Sequence, residues 1–168
     1  MTDSVLDALA SEQAIRALIF RYCRGVDRLD WELVASVFWP DAKLTYGVDQ
    51  TPEQFIAGAK VGLPLYALTQ HAVSNVLVEI DGDSGRGEAY CLARHRSAAK
   101  DGAPAQDFLW GGRYVDRYER RSGEWRISRR GVVHEWTKLE PVEGVWPNAA
   151  AFTQGRRDRS DIVYQKDF

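Results

Sequence analysis

The stretch Thr69-Gln70-His71-Ala72-Val73-Ser74-Asn75-Val76-Leu77-Val78-Glu79-Ile80-Asp81, closed by Gly82-Asp83, decides how this 168-residue chain folds. Side chains two apart share one face of a strand, so His71, Val73, Asn75 and Leu77 are predicted to lie together. The Asp81-Gly82-Asp83 turn predicts an antiparallel partner. Three more extended segments follow, at about residues 86–98, 106–121 and 124–139. Lys100-Asp101-Gly102-Ala103-Pro104 and Ser122-Gly123 separate them as turns. Gly111, Gly112 and Gly131 lie inside strand patterns and suit bends or bulges.

Upstream of residue 69 the periodicity changes. Val5, Leu9, Ile15, Leu18, Ile19 and Tyr22 recur at three- and four-residue steps, which predicts a helix with one buried face. Gly25 is expected to loosen its end. A second helix is expected over 30–38, with Asp30 as N-cap and Trp39-Pro40-Asp41 as its stop. Residues 42–46 suit a short strand. Thr51-Pro52-Glu53-Gln54 reads as a capping box with proline at the first helical position, opening a third helix to about Val61. Helices first and antiparallel strands after predict an α+β domain. A strongly curved sheet with helices on its concave side would enclose a cone. Residues 1–140 form that domain on this reading. Residues 141–168 are an extension, partly mobile or wrapped on a neighbouring subunit.

The length suits one domain, and a hydrophobic fraction of 45% supplies a core. A net charge of -2 with scattered arginines excludes an electrostatic case for nucleic acid. No apolar run reaches the ~20 residues of a membrane span, and the N-terminus has no signal-peptide pattern. Cys23 and Cys91 lack CxxC spacing and read as free thiols of a reducing compartment. A cytoplasmic protein is expected. His71, His95 and His134 fall on three strands with no short ligand spacing, so no metal site is expected.

The residues that carry chemistry are Asp27, at the foot of the first helix, and His71. A carboxylate that accepts from one imidazole nitrogen fixes the tautomer and leaves the other nitrogen as a base. Taken alone, each has a plain structural reading: a packed core histidine, and a carboxylate capping the next turn. Tyr22, five residues before Asp27, lies about 140° round a regular helix from it; it could donate to a leaving oxygen if the helix distorts near Gly25. Arg130 and His134 could hold an anionic group, and His134 shares strand parity with Val132 and Trp136. Among many aromatic residues Trp110, just before Gly111-Gly112, is the best candidate for a pocket wall, with Trp31 and Asn75 as further substrate contacts.

Tyr22-x4-Asp27-Arg28-x-Asp30-Trp31, the His71…Asn75 strand, Gly111-Gly112-Arg113-Tyr114-x-Asp116-x-Tyr118 and Gly123-Glu124-Trp125-Arg126-Ile127 resemble the SnoaL-like branch of the nuclear transport factor 2-like superfamily. The resemblance spans about residues 5–140. It implies a cystatin-like α+β barrel or cone around a deep apolar pocket. It also implies a homo-oligomer, trimer before dimer, and no cofactor. Characterised members include dehydratases and a dehydrochlorinase in which an aspartate and a histidine matching Asp27 and His71 form the catalytic dyad. Tyr22 matches a tyrosine of one such dehydratase, and Arg130 a pocket arginine of the dehydrochlorinase. His134 stands where that dehydratase has an arginine, which argues against a steroid-acid substrate held through it. The expected function is a cofactor-independent lyase. It would abstract a proton from a hydrophobic, aromatic or polycyclic small molecule, with loss of water, halide or a one-carbon fragment. An isomerase, or a non-catalytic binding module such as a dioxygenase small subunit, is the alternative.

Overall fold

The computed structural model describes residues 3–144 and 146–167. Helix α1 (Asp3–Asp27) and the short α2 (Trp31–Ser36) lead into strand β1 (Phe38–Thr45), the two-residue β2 (Asp49–Gln50) and α3 (Pro52–Gly62). Four long strands then follow: β3 (Leu68–Asp81), β4 (Ser84–Arg96), β5 (Gln106–Arg121) and β6 (Glu124–Pro141). The sheet order is β2-β1-β6-β5-β4-β3. All pairs are antiparallel except β1 with β6, so the sheet is mixed and open, with β2 and β3 at its edges. Helix α1 packs on both β3 and β6, which two strands separate. A flat sheet would hold those strands roughly 14 Å apart. One helix reaches both because the sheet curls round it.

Local chemistry accounts for most boundaries. The Ser122-Gly123 turn between β5 and β6 has positive φ at both residues, 52° and 83°, the type I′ geometry that matches strand twist. The capping box forms as the sequence predicts: Thr51 Oγ1 accepts from Gln54 N–H, and Gln54 Oε1 accepts from Thr51 N–H. Asp30 caps α2 through Leu33 N–H.

Four expectations change. Gly25 does not loosen α1, which runs unbroken to Asp27. Its missing side chain instead admits α2, since a Cβ there would stand 2.7 Å from Val34 Cγ2. The second helix stops at Ser36, and Phe38, Trp39 and Pro40 belong to β1. Proline is tolerated there because the β1–β6 register shifts between Phe38 and Lys43, leaving a gap in the ladder. Val5 and Leu9 are about half exposed, because the core begins further along α1 at Ile15. Gly131 sits in unbroken register, whereas the Gly111/Gly112 step carries a bulge.

Ile15, Leu18, Tyr22 and Val26 of α1 meet Phe38, Leu44, Tyr114, Tyr118 and Ile127 from the sheet in one buried cluster. Each fully buried aliphatic side chain there contributes about 1.5–3 kcal/mol from removal of apolar surface from water. Tyr22, Val26, Ala93 and Tyr114 of the cluster also border an open cavity.

Candidate active site

Asp27 is the last helical residue of α1. The helix ends in a Schellman motif: Asp30 N–H donates to Gly25 O at 2.8 Å and Leu29 N–H to Val26 O at 3.5 Å. Leu29 takes the left-handed position with φ 54°, where glycine is usual. That conformation costs a leucine on the order of 1 kcal/mol, and it turns the chain sharply just past the carboxylate. Opposite, the edge strand β3 presents His71. Asp27 Oδ2 accepts from the His71 backbone N–H at 2.9 Å, and Oδ1 lies 2.7 Å from His71 Nδ1. A carboxylate only accepts, so Nδ1 carries a hydrogen, and in the neutral ring Nε2 holds the lone pair. Both side chains are close to nine-tenths buried. Among the described residues Nε2 has no hydrogen-bond partner. His71 lines a cavity of about 610 Å³. Asp27 stands behind it, facing a smaller hollow shared with Cys23, Arg24 and Arg28.

The large cavity lies between α3, the inner face of the sheet and the second half of α1. Tyr22, Trp110 and His134 are in its wall. So are two residues that sequence reasoning did not place there, Tyr46 and His95. The Tyr22 and Tyr46 hydroxyls are 2.7 Å apart, and either can donate. Burial pushes both phenols above the usual tyrosine range, so they remain protonated donors. Tyr46 is fixed by its ring, stacked on Phe55 at 4.8 Å. His95 shares the inward parity of Cys91 and Ala93 on β4. Its ring meets His71 edge-on at 5.5 Å and packs against Tyr66 at 5.0 Å and Phe108 at 6.4 Å. Its Nδ1 is buried with no hydrogen-bond partner. Burial, then the neighbouring His71, pull its pKa down to about 4, so it is a neutral imidazole near pH 7. The one available signal for His95 was its parity with two small apolar residues.

Three expected contacts are not in the wall. Asn75 is exposed and lies at a bulge, because the β3–β4 register shifts between Ser74 and Leu77. With φ 48° at Asn75 the chain skips a step, and the alternation running from His71 breaks before Leu77, which is 69% exposed. Trp31 packs on the core cluster instead of the cavity. Arg130 is fully buried but lies one layer behind the wall. It pairs across β5 and β6 with Asp116, through Nε at 2.8 Å and Nη2 at 2.6 Å. The Tyr22 and Tyr114 rings cover it at 4.4 and 4.3 Å. Its charge also bears on the Tyr46 hydroxyl in the wall. His134 does reach the rim, but Trp136 leaves its face. Glu135 is the extra residue opposite Gly111-Gly112, so Trp136 joins the outer side of the sheet with Tyr90 and Leu92.

Among the described residues no group of three or more His, Cys, Asp or Glu side chains could hold a metal ion. No described helix is long and apolar enough to cross a membrane. What the site does hold is a histidine with one nitrogen fixed and the other open. The cavity that His71 lines has a pair of neutral phenols in its wall.

Known proteins resemble this chain along most of its length. Hexachlorocyclohexane dehydrochlorinase 1 of Sphingobium indicum is 32% identical over 154 residues, covering 87% of this chain and 96% of that protein. The crystal structure of a type 2 hexachlorocyclohexane dehydrochlorinase (LinA) superposes with a TM-score of 0.74 at 28% identity, covering 86% of this chain and 98% of that one. A Nostoc punctiforme protein with a cystatin-like fold matches at TM-score 0.57 and 19% identity, over 74% of this chain and 90% of its own, which speaks to the fold alone. The SnoaL-like domain model matches residues 7–131, and the chain belongs to that family, within the nuclear transport factor 2-like superfamily.

Proposed function

We propose that this protein is a cofactor-independent lyase in which His71 is the general base. The observation that carries the reading is the His71 ring, with Nδ1 held by Asp27 and Nε2 facing a largely apolar cavity. Nε2 takes a proton from a carbon of a hydrophobic ring compound. The C–H pair becomes the new C=C bond as a group on the adjacent carbon leaves with its bonding electrons. Asp27 holds the imidazolium that forms. Such a base contributes roughly 10²–10⁴ in rate. One of the paired phenols, Tyr22 or Tyr46, donates to the other, and the second donates its hydrogen to the departing oxygen or halide, while Arg130 behind the Tyr22 ring favours the negative charge building there. The neutral His95 adds a further polar contact beside the base. The likeness to dehydrochlorinases supports loss of halide, and the hydroxyl pair supports loss of water from an alcohol.

A homo-oligomer goes with this reading, a trimer before a dimer. Tyr90, Leu92, Val115 and Trp136 leave the outer face of the sheet apolar and 43–47% exposed, the kind of surface that association covers.

The test is turnover of two compound sets, γ-hexachlorocyclohexane and its isomers followed by chloride release, and fused-ring β-hydroxyketones followed by alkene absorbance. We expect conversion within one set, lowered at least about a hundredfold in His71→Ala with an unchanged circular dichroism spectrum. Equal rates in both proteins would remove the dyad from the chemistry. No conversion in either set would remove the lyase reading.

A further inference from the structure

The C-terminal tail plays no part in the reading above, yet it returns to the dyad. Beyond β6 the chain makes two short 3₁₀ turns, Ala149–Ala151 and Ile162–Tyr164, and the stretch between them crosses the α1–α2 corner. It is pinned there independently of the cavity. Buried Asp161 accepts from Arg156 N–H at 2.7 Å and Val163 N–H at 3.1 Å, and pairs with Arg28 at 3.4 Å. The Tyr164 hydroxyl donates to Asp30 Oδ2 at 3.1 Å.

These anchors deliver Arg157, half-buried, to the back of the site. Its guanidinium donates to four oxygens on three separate segments. Nε reaches the Asp27 carbonyl at 3.3 Å. Nη1 reaches the carbonyls of Leu63 at 3.0 Å and Tyr66 at 2.6 Å. Nη2 reaches Thr69 Oγ1 at 3.1 Å. Thr69 is two residues before His71 on the same face of β3, and Leu63 and Tyr66 are in the cavity wall. None of the four acceptors is a carboxylate. Desolvation works against the charge, the nearby Asp27 counters only part of it, and Arg28 adds to it. Arg130, by contrast, is matched to a carboxylate. A planar fork with donors in fixed directions suits a different task, holding several backbone segments in one spatial relation.

We propose that Arg157 is a positioning residue: it fixes the end of α1 against the start of β3, and so sets the Asp27–His71 spacing, while tying the Leu63–Tyr66 wall to both. The proposal rests on the dyad being the base, and its test is read partly without turnover. Arg157→Ala, Arg157→Lys and a control, Arg159→Ala, are compared with the wild type. Arg159 lies on the same segment and pairs with Asp30 at 3.3 Å, away from the cavity. The readouts are the low-field proton resonance of His71 Hδ1, kcat and KM on whichever compound the wild type converts, and thermal unfolding. In Arg157→Ala the resonance is expected to broaden or move upfield, and kcat to fall by roughly 10- to 100-fold with KM within about twofold, as for loss of near-attack alignment. Arg157→Lys keeps the charge without the fork and recovers only part of kcat. Arg159→Ala leaves resonance and kcat unchanged. Should Arg157→Ala fail to fold, Arg157→Gln, which keeps two N–H donors, takes its place. A folded Arg157 variant with the wild-type resonance overturns the proposal whether or not a substrate is in hand, and unchanged kcat does the same.

Discussion

Replacing Asp27 by asparagine tests the dyad through the two hydrogen bonds its carboxylate accepts. One donor is the His71 backbone N–H at 2.9 Å, which can only donate; the other is Nδ1 at 2.7 Å, which can donate or accept. A carboxamide offers one oxygen and one NH₂ in place of two oxygens. With its oxygen on the backbone N–H, the NH₂ faces Nδ1, which must then be the lone-pair nitrogen. The hydrogen moves to Nε2 and the base is lost. In the flipped amide the oxygen serves Nδ1, but NH₂ and backbone N–H stand donor against donor. Leaving a buried donor unsatisfied costs about 1–3 kcal/mol. The competent arrangement is therefore populated between about 15% and below 1% of the time. Loss of the charged acceptor behind a forming imidazolium adds about 1.5–3 kcal/mol to the barrier. Together these come to roughly 2.5–6 kcal/mol, a fall in kcat of about 10²- to 10⁴-fold. The assay is initial rate on substrate labelled with deuterium at the abstracted position. Long-range proton–nitrogen correlation on the imidazole reads the tautomer directly. A folded Asp27→Asn protein within tenfold of wild-type rate, with hydrogen still on Nδ1, would refute the reasoning.

Arg130→Met should cost about 3–5 kcal/mol in denaturant unfolding, because it leaves the buried Asp116 carboxylate with only the Tyr118 hydroxyl as donor. Pairing it with Asp116→Leu should recover much of that loss, and a single variant costing under about 1 kcal/mol would count against the buried pair. His95 makes the protein less stable in acid. Its folded pKa of about 4 lies below the ordinary 6.5, so between those values the unfolded chain binds more protons and stability falls as pH drops. The effect amounts to up to about 3 kcal/mol and is absent above pH 6.5; His95→Gln should flatten the difference between unfolding at pH 7 and pH 5, and an unchanged slope would contradict it. Burial pushes the Cys23 thiol well above its ordinary range and raises that of Cys91. Both should therefore resist Ellman's reagent at pH 8 until denaturant is added, and prompt reaction of the native protein would show them to be accessible.

The strands were legible because alternation and turn chemistry agreed over long stretches, and β5 runs from Gln106 to Arg121 as read. The capping box at Thr51 was legible because it is a contact among near neighbours. The site was legible only where the strand period holds. Counting by twos from His71 is sound as far as Val73, but Asn75 sits beyond a bulge. The mark was present in the residue type, since asparagine is one of the few non-glycine residues that tolerate the left-handed conformation it adopts there. Glu135 opposite Gly111-Gly112 separates His134 from Trp136 in the same way. Trp31 failed for another reason: an aromatic residue beside a site residue in sequence is not beside it in space once the chain reverses at Leu29. Tyr46 and Arg157 carried no local signal at all. Each acts through a partner in a distant segment, Tyr22 for the one and four oxygens at 88–130 residues' separation for the other.

The same distribution explains how one small hollow can offer both proton acceptance and hydrogen-bond donation. A base and a donor placed together in water-poor surroundings would bond to each other and cancel. Here each is already committed at its back. His71 is held by Asp27, and the phenols bond to one another, with the Tyr22 ring resting on Arg130. Asp27 on α1 holds the base on β3, and the cation behind the donors is locked across β5 and β6 by Asp116. The two sets of anchors are separate from one another, and both the base and the donors face one cavity. On the proposed mechanism that separation lets one face of a ring substrate lose a proton while a group on the neighbouring carbon leaves toward the donors. A change that moves the end of α1 against β3, as loss of Arg157 should, would misalign the base first, because Tyr22 lies five residues further up the helix and is held by Tyr46 and Arg130. It would lower kcat without loosening the pocket, an effect opposite in kind to widening the wall at Trp110.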